Sequence, residues 1–168
     1  MGINQVSLFF FPPKWVQRRT PAPDGFTLSG EPVTLVDAVP STSGEQTSVR
    51  AEDVKQWLVT NGFANANWGA GWILERGKVD SVFGPEKEIQ VVIGDEAGEL
   101  TELYCRFTLP RRTEPSVSEW TAFVCNLCQS FLLRLGDDDK ICNAERFRSA
   151  VRNDHNYQSF AKANGWNL

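Results

Sequence analysis

Four cysteines, one histidine, a glycine pair and a run of three aspartates are the residues of this chain whose types could do chemistry. Cys105, Cys125, Cys128 and Cys142 could in principle hold zinc or staple the fold. A zinc site read from spacing needs two close ligand pairs, but Cys105 and Cys142 stand apart from one another. His155 has no His or Cys within a few residues. The remaining pair, in CNLC, falls inside a segment of helical periodicity, whereas a redox turn would follow a strand. The expectation is free, mostly buried thiols acting as small hydrophobes, with no metal.

A histidine can serve as a base near neutral pH, and NDHNYQ flanks His155 with Asp154 and Asn156. Adjacent residues do not share a helix face, and no nucleophile motif accompanies them, so the pattern is no triad. NWGAGW holds Gly69 and Gly71 without a preceding strand, a following helix start or a third glycine, which leaves nothing to cradle a dinucleotide phosphate. Asp137, Asp138 and Asp139 lack the alternating ligands, central glycine and closing glutamate of a calcium loop and read as a solvated turn. No cofactor is expected and no enzyme class is supported.

Beneath these residues lies a readable order of elements. NQVSLFFF predicts a strand that Pro12 and Pro13 end. A stretch rich in Pro, Gly and Ser runs from Thr20 to Ser48, interrupted by the strand-like PVTLVDAV and ending in a flexible loop over residues 40–48. Ser48 can cap a helix over residues 49–61, with Val54, Trp57 and Leu58 on one face and Gly62 as its stop. GWILERGKVDSVFG has two strand-like halves around Arg76 and Gly77, which predicts a hairpin. A clearer hairpin spans residues 87–110, where Ile89, Val91 and Ile93 alternate with Glu88, Gln90 and Val92, and Leu103, Cys105, Phe107 and Leu109 alternate with Glu102, Tyr104, Arg106 and Thr108.

After Pro110 the period changes. Ser116 and Glu119 stand at capping-box spacing ahead of a stripe of Trp120, Phe123, Val124, Leu127, Phe131 and Leu135 that Gly136 stops. Residues 143–166 carry one or two further helices, with a break at Asn153 and Asp154 and a stop at Gly165. The sum is a single α+β domain over residues 1–168. Its mostly antiparallel sheet of four to six strands is packed on one side by a long helix, and its C-terminal third is helical.

With 168 residues, 41% of them apolar, the chain can bury a core without staples. Its formal charge of −4 and pI near 5.1 argue against a nucleic-acid partner, which calls for a basic footprint. The apolar run near the N-terminus is too short for a membrane span and lacks the features of a signal peptide, so a cytoplasmic protein without membrane contact is expected.

What remains is surface. Glu86, Glu88, Asp95, Glu96, Glu99 and Glu102 stand against only Lys87, centred on the tip GDEAGEL. Such charge can simply keep an edge from pairing, or it can steer a basic partner. In FANANWGAGW, Trp72 opens a strand-like run and reads as core, while Trp68 sits in a glycine-loosened loop and is the better interface anchor. The candidate partner-binding residues are therefore Trp68, Asp95, Glu96, Glu99 and Glu102.

A small, acidic α+β chain, rich in Trp and Phe and without a catalytic signature, resembles the immunity proteins with which bacteria neutralise contact-dependent or type VI secreted toxins. The likeness covers size, acidity and layout. It implies a non-catalytic protein-binding domain whose acidic hairpin and nearby aromatic groups occlude a basic toxin domain stoichiometrically. Two alternatives stand beside it: a small-molecule-binding or hydrolytic enzyme with a pocket walled by residues 63–72, and a secretion chaperone, which is similarly small and acidic.

Overall fold

In a computed structural model, residues 5–42, 47–66, 72–77, 88–109, 117–136 and 140–166 are described. Strand β1 (Gln5–Phe11) ends at Pro12 and Pro13, where a tight turn closed by Trp15 N donating to Pro12 O at 2.9 Å leads into β2 (Trp15–Phe26). β2 pairs antiparallel with β3 (Pro32–Pro40) as a separate two-stranded sheet. Much of the stretch from Thr20 to Ser48 is thus a β-arm rather than loop. Pro21 and Pro23 obscure it in the sequence, yet a proline is tolerated in a strand with an unpaired edge. Of the loop expected over residues 40–48, Pro40 closes β3 and residues 43–46 lie outside the described residues.

Helix α1 (Ala51–Thr60) buries Ala51, Val54 and Leu58, and Gly62 at φ +87° accepts the left-handed turn that stops it. Its start differs from expectation. Arg50 occupies the capping position with no side-chain cap bond. Ser48 lies upstream, because residues 49–51 run beside the 96–99 turn: Leu100 N donates to Val49 O at 2.7 Å and Ala51 N to Gly98 O at 3.0 Å.

The main sheet adds β4 (Ala64–Asn65), β5 (Trp72–Arg76), β6 (Ile89–Glu96), β7 (Glu99–Thr108) and β8 (Arg134–Leu135), in the order β4-β5-β6-β7-β1-β8, with every pairing antiparallel. The first half of the hairpin expected around Arg76 and Gly77 is β5, paired to β6; residues 78–84 lie outside the described residues. The period-2 alternation of β6 and β7 is realised in burial: Ile89, Val91, Ile93, Leu103, Cys105 and Phe107 turn inward. On the other face Arg106 Nη1 donates to Gln90 Oε1 at 3.2 Å and Gln90 Nε2 to Glu75 Oε1 at 2.9 Å, a polar row across three strands. Beside it the Phe9 and Tyr104 rings lie 4.5 Å apart.

Helix α2 (Val117–Phe131) sets Trp120, Phe123, Val124 and Leu127 into the core, with the Trp120 ring 5.1 Å from Phe107 of β7. The C-terminal third is two helices, α3 (Ala144–Asn153) and α4 (His155–Ala163). Asp154 separates them, accepting from Asn156 N at 2.8 Å and Tyr157 N at 3.0 Å. Among the described residues no helix is long and apolar enough to cross a membrane.

Candidate protein-binding surface

The β6–β7 hairpin turns through Ala97 (φ +52°) and Gly98 (φ +84°), the pair of positive φ values that a two-residue turn matched to strand twist requires. Just before the turn the register slips between Gly94 and Asp95, so Glu102 lies opposite Gly94 and Glu96 opposite Glu99. Gly94 has a steric reason: a Cβ there would meet Glu102 Cγ at 2.8 Å and Thr101 Oγ1 at 2.9 Å. The slip gathers the acidic side chains at one end of the sheet.

These acids are not equivalent. Glu99 accepts from Lys14 Nζ at 2.9 Å, from Trp15 Nε1 at 3.2 Å and from Ser48, and so ties the hairpin to the base of the β2–β3 arm. Burial pushes its carboxyl up, but these bonds and the Lys14 charge together hold it below the ordinary 4.5. Glu102 is half-buried and moves the opposite way, raised by burial and by the negative charge of Asp37 on β3. Asp95 and Glu96 are exposed; Asp95 Oδ1 accepts from Gly98 N at 3.3 Å within the turn. Glu99 is thus a fastener, and the outward-facing carboxylates are Asp95, Glu96 and Asp37, with Glu102 beneath. Trp68 lies outside the described residues.

Asp37 was not legible as part of this group. Only the pairing of β3 with β2, and the approach of β3 to β7, bring it there. The arm itself is the larger omission. Beyond its base it carries exposed Phe26, Leu28, Leu35 and Val36, with Leu28 fully exposed in the turn between the strands.

An open groove of 530 Å³ separates the hairpin tip from the start of α1, with Arg50, Glu52, Lys55, Asp95 and Glu99 among its walls. Its charges are of both signs, and Lys55 Nζ lies 3.4 Å from Glu52. Ser48 meets Glu99 there, but a carboxylate held low and already accepting from Lys14 and Trp15 is a poor general base. His155 is exposed at the start of α4. Cys105, Cys128 and Cys142 are buried and Cys125 is half-buried. The Cys128 thiol is raised by its hydrogen bond to Cys142 and by burial, and burial alone raises Cys105. Among the described residues no three His, Cys, Asp or Glu side chains converge as metal ligands. Of the stretch 63–72, Phe63 points into the core, stacked 5.3 Å from Phe123 with the Arg76 guanidinium 5.1 Å above its ring.

Compared with known protein families, with characterised proteins and with solved structures, the chain matches none of them.

Proposed function

We propose that the chain is a non-catalytic protein-binding domain that takes a basic protein on the acidic end formed by the β6–β7 tip and β3. It acts as the resemblance to immunity proteins implies, by covering the partner's basic active site or substrate groove without turnover. The observation that carries this reading is the grouping of outward-facing Asp37, Asp95 and Glu96 beside half-buried Glu102, while Glu99 is already occupied by Lys14 and Trp15. Arg18 stands opposite Asp37 and Arg50 shares the groove of Asp95, and the excess of acid that Glu96 and Glu102 add steers an oppositely charged partner and speeds association more than it deepens final affinity.

The test is affinity capture with the whole chain as bait, elution by raised salt, and identification of what elutes. The expected result is a basic protein at near one-to-one stoichiometry whose own activity is lost in the complex. A partner that is acidic, salt-insensitive or fully active when bound contradicts the reading, as does the absence of any partner above background.

A further inference from the structure

The two long edges of the β2–β3 arm differ in a way that selects one of them. Ser41 N donates to Lys14 O at 2.6 Å, which makes Trp15 and Pro40 a pair whose own backbone groups point away from each other. Antiparallel pairs alternate. Val16/Val39, Arg18/Asp37 and Thr20/Leu35 therefore exchange the ladder bonds, and Thr34, Val36 and Ala38 turn their N–H and C=O groups outward from β3. The same rule turns Gln17, Arg19 and Pro21 outward from β2, where Pro21 has no N–H to offer. Among the described residues neither edge is covered by another strand.

One edge is thus interrupted by proline and flanked by the exposed Arg18 and Arg19, while the other is continuous over Thr34–Ala38 and carries a single charge, Asp37. That continuous edge has 48% of Val36 and 50% of Leu35 exposed, and its base meets the acidic end of β7. An uninterrupted edge with apolar side chains on both faces is the surface to which an extended segment adds as a strand, main-chain bonds giving affinity and side chains giving choice.

We infer that the outer edge of β3 is a strand-addition site for an extended, basic segment of the protein partner, which adds as a third strand of the arm with a Lys or Arg beside Asp37 and Glu102. The inference rests on the reading of the chain as a binder of a basic protein. Charge complementarity selects this occupant. A second copy joined through the same edge would set both Asp37 side chains on one face of the shared sheet in any two-fold register, adding repulsion to the one that already raises Glu102. A Lys or Arg at that place relieves it.

The probe is a synthetic peptide alternating Lys or Arg with Val, compared with a counterpart bearing Glu in place of the basic residues. Binding to the whole chain is followed by anisotropy and by amide exchange. The basic peptide is expected to bind and the acidic one not, with the Thr34, Val36 and Ala38 amides slowing in exchange. Val36→Pro removes an N–H that the hairpin itself does not use, so it should weaken binding at least tenfold with an unchanged thermal midpoint; Asp37→Lys should weaken it as well. If the peptide binds and Asp37→Lys weakens it, but Val36→Pro and the β3 amides are indifferent, strand addition is wrong while the reading as a basic-protein binder stands. Failure to bind the basic peptide at all overturns strand addition, while the reading as a basic-protein binder stands or falls by the capture experiment. Slowed β3 amides without peptide, with a concentration-dependent dimer, give the edge to a second copy and overturn the inference. Slowing of the β3 amides in the wild-type chain decides the matter should Val36→Pro disturb the fold.

Discussion

At the scale of single residues, the two glutamates of β7 nearest the arm respond to opposite forces. Glu99 is held below its ordinary pKa, so its contribution is fully present above the unfolded value of 4.5 and is lost as pH falls through its folded one. Glu99→Gln should cost about 1 kcal/mol near neutrality, the upper end for an ion pair that solvent still screens, and little at low pH. Denaturant melts across pH 3–7 check this, and a loss equal at both ends would contradict it. Glu102 is raised, so the folded protein loses stability as pH climbs from the unfolded value of 4.5 through the folded one. Burial is the larger cause and Asp37 the smaller. Asp37→Asn should therefore lower the Glu102 pKa without restoring its ordinary value, as carboxyl chemical shifts followed against pH will show. The sequence displayed all these acids but not their roles. Glu96 and Glu99 are three places apart, and only the turn and the Lys14 and Trp15 side chains separate a surface charge from a fastener.

At the scale of elements, the arm depends on a residue far away in the chain. Arg134 of β8 is buried and reaches with Nη2 to the carbonyls of Pro12, Pro13 and Trp15 at 3.1, 2.8 and 2.8 Å. Pro12 O already accepts from Trp15 N at 2.9 Å, and Arg134 adds a second donor there and one each at the Pro13 and Trp15 carbonyls, in a turn where the two prolines supply no N–H. Arg134→Met should cost roughly 3 kcal/mol by removing a buried cation's hydrogen bonds to the Pro12, Pro13 and Trp15 carbonyls, of which Pro12 alone keeps the Trp15 N–H, and should speed amide exchange at the base of the arm before elsewhere. A melt within 0.5 kcal/mol of wild type, an order-of-magnitude threshold set by ordinary surface substitutions (about 0.5 kcal/mol), would contradict this. The elements with clean periodicity were legible: β6 and β7 by alternation, α2 by its stripe as far as Phe131, and the break at Asp154 by its capping side chain; Leu135, expected on the same stripe, falls on β8, because the helix stops at the left-handed Leu132 (φ +55°). The arm was hidden because proline usually argues against a strand, and a two-stranded ribbon with free edges is where that argument weakens. The two-residue strands β4 and β8 carry no pattern of their own; their neighbours' free edges create them.

At the scale of the whole molecule, a conventional core supports an unbalanced surface. Phe107 has no exposed area and touches Trp120 at 5.1 Å and Phe147 at 5.6 Å, joining β7 to α2 and α3. Phe107→Ala should cost about 3–5 kcal/mol, the usual range for a large aromatic removed from a packed core. The net charge of −4 is spread unevenly: Lys14 pairs with Glu99, Arg18 of β2 faces Asp37 of β3, and Asp95 and Glu96 stay exposed at the β6–β7 tip. Composition announced the sign of that charge; the fold decides where it collects. The most direct test of the binding account is the affinity of the salt-eluted partner for the wild-type chain and for an Asp37→Lys, Glu96→Lys variant, measured at low and raised salt with the fold checked by circular dichroism. The account predicts at least a tenfold loss at low salt, a shallower salt dependence and an unchanged spectrum; equal affinity for both proteins, with the same salt dependence, would contradict it.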